Sequence, residues 1–207
     1  RRSTYSSGRS GASPTARERR SARGTSGRRS RAIEAAHNIG IYSVQTDAAG
    51  ERSFHYWRDA SAARQLFGSA DDLAALDGTE ILYLSAITLA IIAPAAREAL
   101  IARLAELRGQ GRRIAFDSNY RPRLWPNAKT ARDWTGRMWR ITDIALPSAD
   151  DERALFGDAN DVAVLSRLRG WGCRSGALKC GDAGPVALDE RLADGHFPPA
   201  SRVVDTT

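Results

Sequence analysis

From residue 80 onward, short apolar runs alternate with longer stretches whose apolar residues recur at helical spacing. This alternation constrains the fold more than any other feature of the chain. Strand, helix and strand in succession make a crossover unit, and crossover units in series make a parallel sheet covered by helices on both faces. Glu80–Ile87 reads as a near-continuous apolar strand of the buried kind, and the run to Ala93 as its lead into a turn. Pro94 opens a helix reaching about Arg108, with Ala96, Leu100, Leu104 and Leu107 on one face and Gly109 and Gly111 closing it. Arg113–Asp117 is the next strand, and Asn127 caps a helix to about Arg140. Asp143–Pro147, Gly176–Cys180, Pro185–Asp189 and Ser201–Val204 read as strands, Ser148–Phe156 and Asp161–Trp171 as helices. Ser61–Phe67 and Ala70–Leu76 read as short helices.

Two β-prone runs, Ile39–Thr46 and Arg52–Arg58, precede this pattern and are joined by the turn-forming stretch Asp47-Ala48-Ala49-Gly50. They predict a hairpin outside the alternation, a lid of residues 39–58 beside the main sheet. Residues 1–38 are set apart as a disordered tail rich in Arg, Ser and Gly, and residues 39–207 as one α/β domain. The tail decides how the charge is read. Its first 31 residues hold ten arginines and one acid, +9, so of the chain's +7 the remaining 176 residues carry −2. A basic nucleic-acid arm, an acid-poor targeting peptide and sequence unrelated to the domain all fit the tail, and the last is preferred. No nucleic-acid partner is expected for the body. No apolar run approaches the roughly 18–20 residues that span a bilayer. Cys173 and Cys180 are too few for a disulfide framework and read as reduced thiols of a cytoplasmic protein, and His37, His55 and His196 show no metal-ligand spacing.

Ligands of such sheets bind beyond the carboxyl ends of the strands, and several polar clusters fall there. Asp117-Ser118-Asn119-Tyr120-Arg121-Pro122 follows one strand. Arg121 can grip a carboxylate or phosphate in two prongs, although a turn stabilised by Asp and Asn side chains has the same composition. Tyr42, Tyr56, Trp57 and Arg58 lie on the lid, where aromatics can cover a sugar face or simply pack across strands. Lys179-Cys180-Gly181-Asp182-Ala183-Gly184 can bring backbone N–H groups close to phosphate, or form a plain hairpin turn. Ser148 to Glu152 places acids in the first turn of a helix, where they suit its dipole and can also order Mg²⁺-bound water.

In order and spacing these clusters resemble the PfkB-type, ribokinase-like carbohydrate kinases. The segments that carry the resemblance are Ile41–Asp47, Phe54–Arg58, Leu84–Ile87, Phe116–Trp125, Ala145–Ser148, Leu155–Gly157, Leu178–Gly184 and Val203–Thr206. The resemblance implies a three-layer α/β/α domain with a mostly parallel sheet and a small β lid, incomplete in these residues. It implies ATP and Mg²⁺ as cofactors and a small sugar as substrate. Tyr42, Tyr56, Trp57, Arg58 and Arg121 would contact the sugar. Asn119, Tyr120, Arg121 and Lys179, Cys180, Gly181, Asp182, Ala183, Gly184 would contact the nucleotide, and Ser148 and Asp151 would stand where relatives influence Mg²⁺ and phosphate. Two arginines at the substrate favour a sugar acid such as 2-dehydro-3-deoxygluconate over a neutral fructose or ribose. A homo-oligomer through the lid is also implied. The family's base, an Asp in a Gly-Ala-Gly-Asp loop, is not found among these residues, so the resemblance implies little turnover by the 207-residue chain alone.

Overall fold

The computed structural model describes residues 37–47, 52–189 and 191. The tail through residue 36, Ala48, Ala49 and Gly50 of the lid turn, and the expected strand Ser201–Val204 lie outside the described residues.

Two strands, β1 (Ile41–Thr46) and β2 (Arg52–Trp57), pair antiparallel with Tyr42 opposite Tyr56 and Ile41 opposite Trp57. The main sheet has the order β3 (Ile81–Ser85), β4 (Arg113–Asp117), β5 (Ile144–Leu146), β6 (Ser175–Lys179), β7 (Pro185–Ala187). The first three pairings are parallel, and β7 folds back antiparallel on β6. The helices are α1 (Ala70–Ala74), α2 (Ala86–Ile91), α3 (Pro94–Gly109), α4 (Ala128–Trp139), α5 (Ala149–Phe156) and α6 (Asp161–Gly170). Sequential parallel strands are spatial neighbours, so each connection must cross back along the sheet, and helices lie in those connections.

One expectation is corrected. Glu80–Ile87 is not strand throughout: it ends at Ser85, and Ala86–Ile91 forms α2. A near-continuous apolar run shows no polar period to separate strand from helix in the sequence, although Ile81 and Tyr83 are exposed in the fold. Leu89 and Ala90 are buried as helix residues, and Leu82 and Leu84 as strand residues.

Local chemistry explains the helix boundaries. Asn127 accepts from the Thr130 N–H at 2.8 Å, and Asn160 from that of Ala163 at 2.9 Å. Pro94 starts α3, and Gly157 ends α5 in the left-handed conformation. The predicted face of α3 is the buried one, with Leu100 and Leu104 wholly enclosed against the sheet. Phe116 of β4 meets the Trp139 ring edge-on at 4.7 Å, fixing α4 over the sheet centre.

Candidate functional site

The carboxyl ends of β4, β5 and β6 bring together three of the polar clusters. Asp117, the last residue of β4, receives the Lys179 ammonium from the end of β6 at 2.9 and 3.0 Å. The bond crosses over the end of β5, so it exists only because the strand order is β4-β5-β6. Tyr83 of β3, largely exposed, donates its hydroxyl to Asp117 at 3.4 Å, and partial desolvation of the hydroxyl, with the Asp117 charge adding to it, raises the phenol's pKa.

Ser118 is the hub of the second half of the site. Its hydroxyl donates to Asp151 at 3.3 Å and accepts the Ser148 N–H at 2.8 Å, and the residue is buried. Asp151 also accepts the Tyr120 N–H at 3.1 Å, and its other oxygen lies 3.8 Å from the Arg121 guanidinium. Asn119 turns the chain at φ 27°, its N–H donating to Asp117 at 3.1 Å. This left-handed backbone is one that Asn tolerates better than most residues. The loop from Asp117 to Arg121 is thus pinned by two carboxylates, and Arg121 remains half-exposed beside them.

Lys179-Cys180-Gly181-Asp182-Ala183-Gly184 connects β6 to β7 through a single helical turn, Gly181–Ala183. The Ala183 and Gly184 N–H groups are used by that turn, donating to Cys180 and Gly181 carbonyls at 3.2 and 3.0 Å. Burial pushes the Cys180 thiol up to about 11, which disfavours its thiolate at neutral pH. Cys173, buried with its Sγ–H donated to the Trp139 carbonyl, is likewise pushed up to about 11.

On the lid, register divides the four expected contact residues. Tyr42 and Tyr56 face each other across the strands with ring centroids 6.1 Å apart, and Arg58 stacks on the Tyr56 ring at 4.0 Å. Trp57 alternates to the opposite face, with Ile41. The structure therefore gathers Tyr42, Tyr56 and Arg58 and separates Trp57 from them. A cleft of about 260 Å³ lies among Tyr42, Tyr56, Arg58, Ser61, Arg64 and Ile91 at the end of α2. Helix α2 also contacts the turn Pro122–Leu124, so it links the lid root to the Arg121 loop.

Several residues of this arrangement carry no motif in the sequence. Asp117 and Lys179 are 62 positions apart, and no local pattern pairs them. Arg97 is buried and has no carboxylate partner among the described residues. Its Nε donates to the Leu89 carbonyl at 2.6 Å and its Nη2 to that of Ile92 at 3.2 Å, satisfying the end of α2. The guanidinium lies between Trp125 and Trp134, 5.1 and 5.0 Å from their ring centres. Burial lowers its pKa. Arg97 so anchors both α2 and the end of the Arg121 loop.

Among the described residues, no group of three or more His, Cys, Asp or Glu side chains can hold a metal ion. Nor is any described helix long and apolar enough to cross a membrane.

An α/β sheet of this order, with polar loops converging at the strand ends and a two-stranded lid at its side, defines a ribokinase-like carbohydrate kinase domain. Residues 29–207 match the pfkB family carbohydrate kinases, and the chain belongs to that family. It is 40% identical over 177 residues to 2-dehydro-3-deoxygluconokinase of Haemophilus influenzae, covering 83% of this chain and 56% of that protein. The enzyme of the same description from Dickeya dadantii is 40% identical over 180 residues, 81% of this chain and 56% of the relative. The crystal structure of aminoimidazole riboside kinase from Salmonella enterica, complexed with aminoimidazole riboside and an ATP analog, superposes with TM-score 0.58 at 27% identity. That match covers 73% of this chain and 50% of the other. The chain spans about half the length of the curated relatives it matches.

Proposed function

We propose that these residues supply the sugar-acid and nucleotide contact surfaces of an ATP-dependent kinase acting on 2-dehydro-3-deoxygluconate. The observation that carries this reading is the convergence of Arg121, Asp151 and Lys179 at adjacent strand ends. Helix α2 links that loop to a lid cleft holding a second arginine, Arg58, over Tyr56. Two half-exposed guanidiniums suit a substrate with a carboxylate, and an aromatic pair beside one of them suits the apolar face of a sugar. The similarity to 2-dehydro-3-deoxygluconokinases supports the same substrate class.

In this reading Lys179 exchanges its bond to Asp117 for phosphate oxygens, and Asn119 and Tyr120 line the nucleotide side with the turn Cys180-Gly181-Asp182-Ala183-Gly184. ATP supplies the phosphoryl group for the sugar's terminal hydroxyl. The donor set fits Mg²⁺ only through Asp151 and ordered water, as is usual when phosphates complete the shell. Trp57 contributes to the opposite face of the lid, where with Ile41 it forms an exposed apolar surface that we assign to contact with a second copy of the chain. A cytoplasmic location accords with two free thiols.

Titration calorimetry with 2-dehydro-3-deoxygluconate and with fructose tests the substrate class. The sugar acid is expected to bind the 207-residue chain, with Arg58→Ala or Arg121→Ala weakening it by roughly tenfold or more, the scale of a lost charged hydrogen bond. Equal affinity for fructose, or variants that bind the acid unchanged, would overturn the assignment and favour a neutral-sugar kinase.

A further inference from the structure

At the other end of the sheet, a cleft of about 460 Å³ opens where β4 begins and the chain approaches β5. Arg113, the first residue of β4, and Asp117, its last, are four residues apart, about 13 Å at strand rise. The cleft is therefore separate from the candidate site. Its floor is apolar, Ala105 and Ile141, and its walls carry Arg108, Arg112 and Arg113 against a single acid, Asp143.

That acid is already engaged. One Asp143 oxygen takes the Arg108 Nε–H at 2.8 Å and the other the Ile114 backbone N–H at 2.9 Å. Arg108 is thereby explained, since a basic residue in the last turn of α3 also suits the helix dipole. The other two arginines have no such account. Among the described residues the Arg112 side chain reaches only the Asp77 carbonyl, at 3.4 Å, and its Nε is buried without a partner. A buried unpaired donor on a cation is costly unless something accepts from it. Arg113 is exposed at the cleft edge, and among the described residues its side chain makes no ion pair or hydrogen bond. Three guanidiniums against one carboxylate leave the cleft at +2, in a body whose residues 32–207 sum to −2.

We propose that this cleft is a binding site for a small phosphate monoester. A dianion balances the residual charge, and guanidiniums match phosphate oxygens in paired geometry. The volume accommodates the phosphate together with a small organic body resting on Ala105 and Ile141. The phosphate can belong to a sugar or to a nucleoside, and the cleft recognises what the two share.

The test titrates the full chain with inorganic phosphate, glucose 6-phosphate and AMP at constant ionic strength, following backbone amide resonances. Saturable shifts are expected at Gly109, Gly111 and Ile141 with at least one monoester. The relative affinities of glucose 6-phosphate and AMP tell which organic body the cleft prefers. Arg113→Glu, at an exposed side chain with no bond among the described residues, is expected to weaken that binding by roughly tenfold or more, while Lys179→Ala leaves it unchanged. No saturable shift at these amides, equal affinity in Arg113→Glu, or loss in Lys179→Ala would overturn the proposal.

Discussion

Glu152 shows how much one side chain's surroundings decide. It lies in the first turn of α5 beside Asp150 and Asp151, where the sequence offers nothing to tell the three acids apart. In the fold, Asp150 is exposed and salt-bridged at the surface, Asp151 turns to the Ser118 hub, and Glu152 is wholly buried. Glu152 receives Arg167 at 2.9 Å, but that guanidinium is shared with Asp158, which it meets at 2.5 Å. The Trp139 indole N–H faces the same carboxyl without a hydrogen bond of normal geometry. One cation for two carboxylates leaves burial dominant, and the Glu152 pKa rises from 4.5 to about 7. The sign follows. The folded state binds the proton more tightly than the unfolded one, so this group's contribution is fully present below about pH 4.5 and is lost as pH rises through about 7. Urea unfolding at pH 5 and pH 8 should show wild type losing up to about 3 kcal/mol more than Glu152→Gln across that range. A wild-type-to-variant difference that does not move with pH would sink this account.

Elements were legible where their signals were local. The strand Arg113–Asp117, the Asn127 cap and the buried face of α3 follow from residues a few positions apart. The α2 segment was not legible, because its residues are nearly all apolar and no polar face marks a helical period. The β5–β6 pairing depends on a residue whose importance is invisible in sequence. Gly176 sits opposite Ala145 at φ 116°, and a Cβ there would lie 1.8 Å from the Ala145 carbonyl oxygen. Neither the backbone angle nor the space admits a side chain. Gly176→Ala should cost roughly 3 kcal/mol or more, placing it among the severe single substitutions. Gly170→Ala, at the end of α6 with open space around it, should be neutral or slightly stabilising. Urea midpoints measure both; a Gly176→Ala midpoint within error of wild type would refute the close approach.

At the scale of the whole molecule, the lid and the sheet are stabilised differently. Residues of β1 are exposed along the entire strand, whereas Ile114, Ala115 and Phe116 of β4 are all buried. An isolated two-stranded ribbon is marginal by itself, and of its two exposed faces the one opposite Tyr42 and Tyr56 carries Ile41 at 57% and Trp57 at 63% exposure. Contact with a second copy would cover that face. Sedimentation equilibrium should therefore give a mass above the monomer for wild type and a monomer for Trp57→Ser, with sugar-acid binding at the Tyr42–Tyr56 face kept. Identical masses for the two would overturn the lid contact. The sequence by itself determined the α/β class, the sheet's run of parallel strands, and the polar loops at strand ends, because each rests on spacing or composition within one segment. Only the tertiary structure decided that Lys179 meets Asp117, that Trp57 faces away from Tyr56, and that Glu152 rather than Asp151 is buried. Those outcomes depend on strand order, register and packing between segments far apart in the chain, which no local pattern encodes.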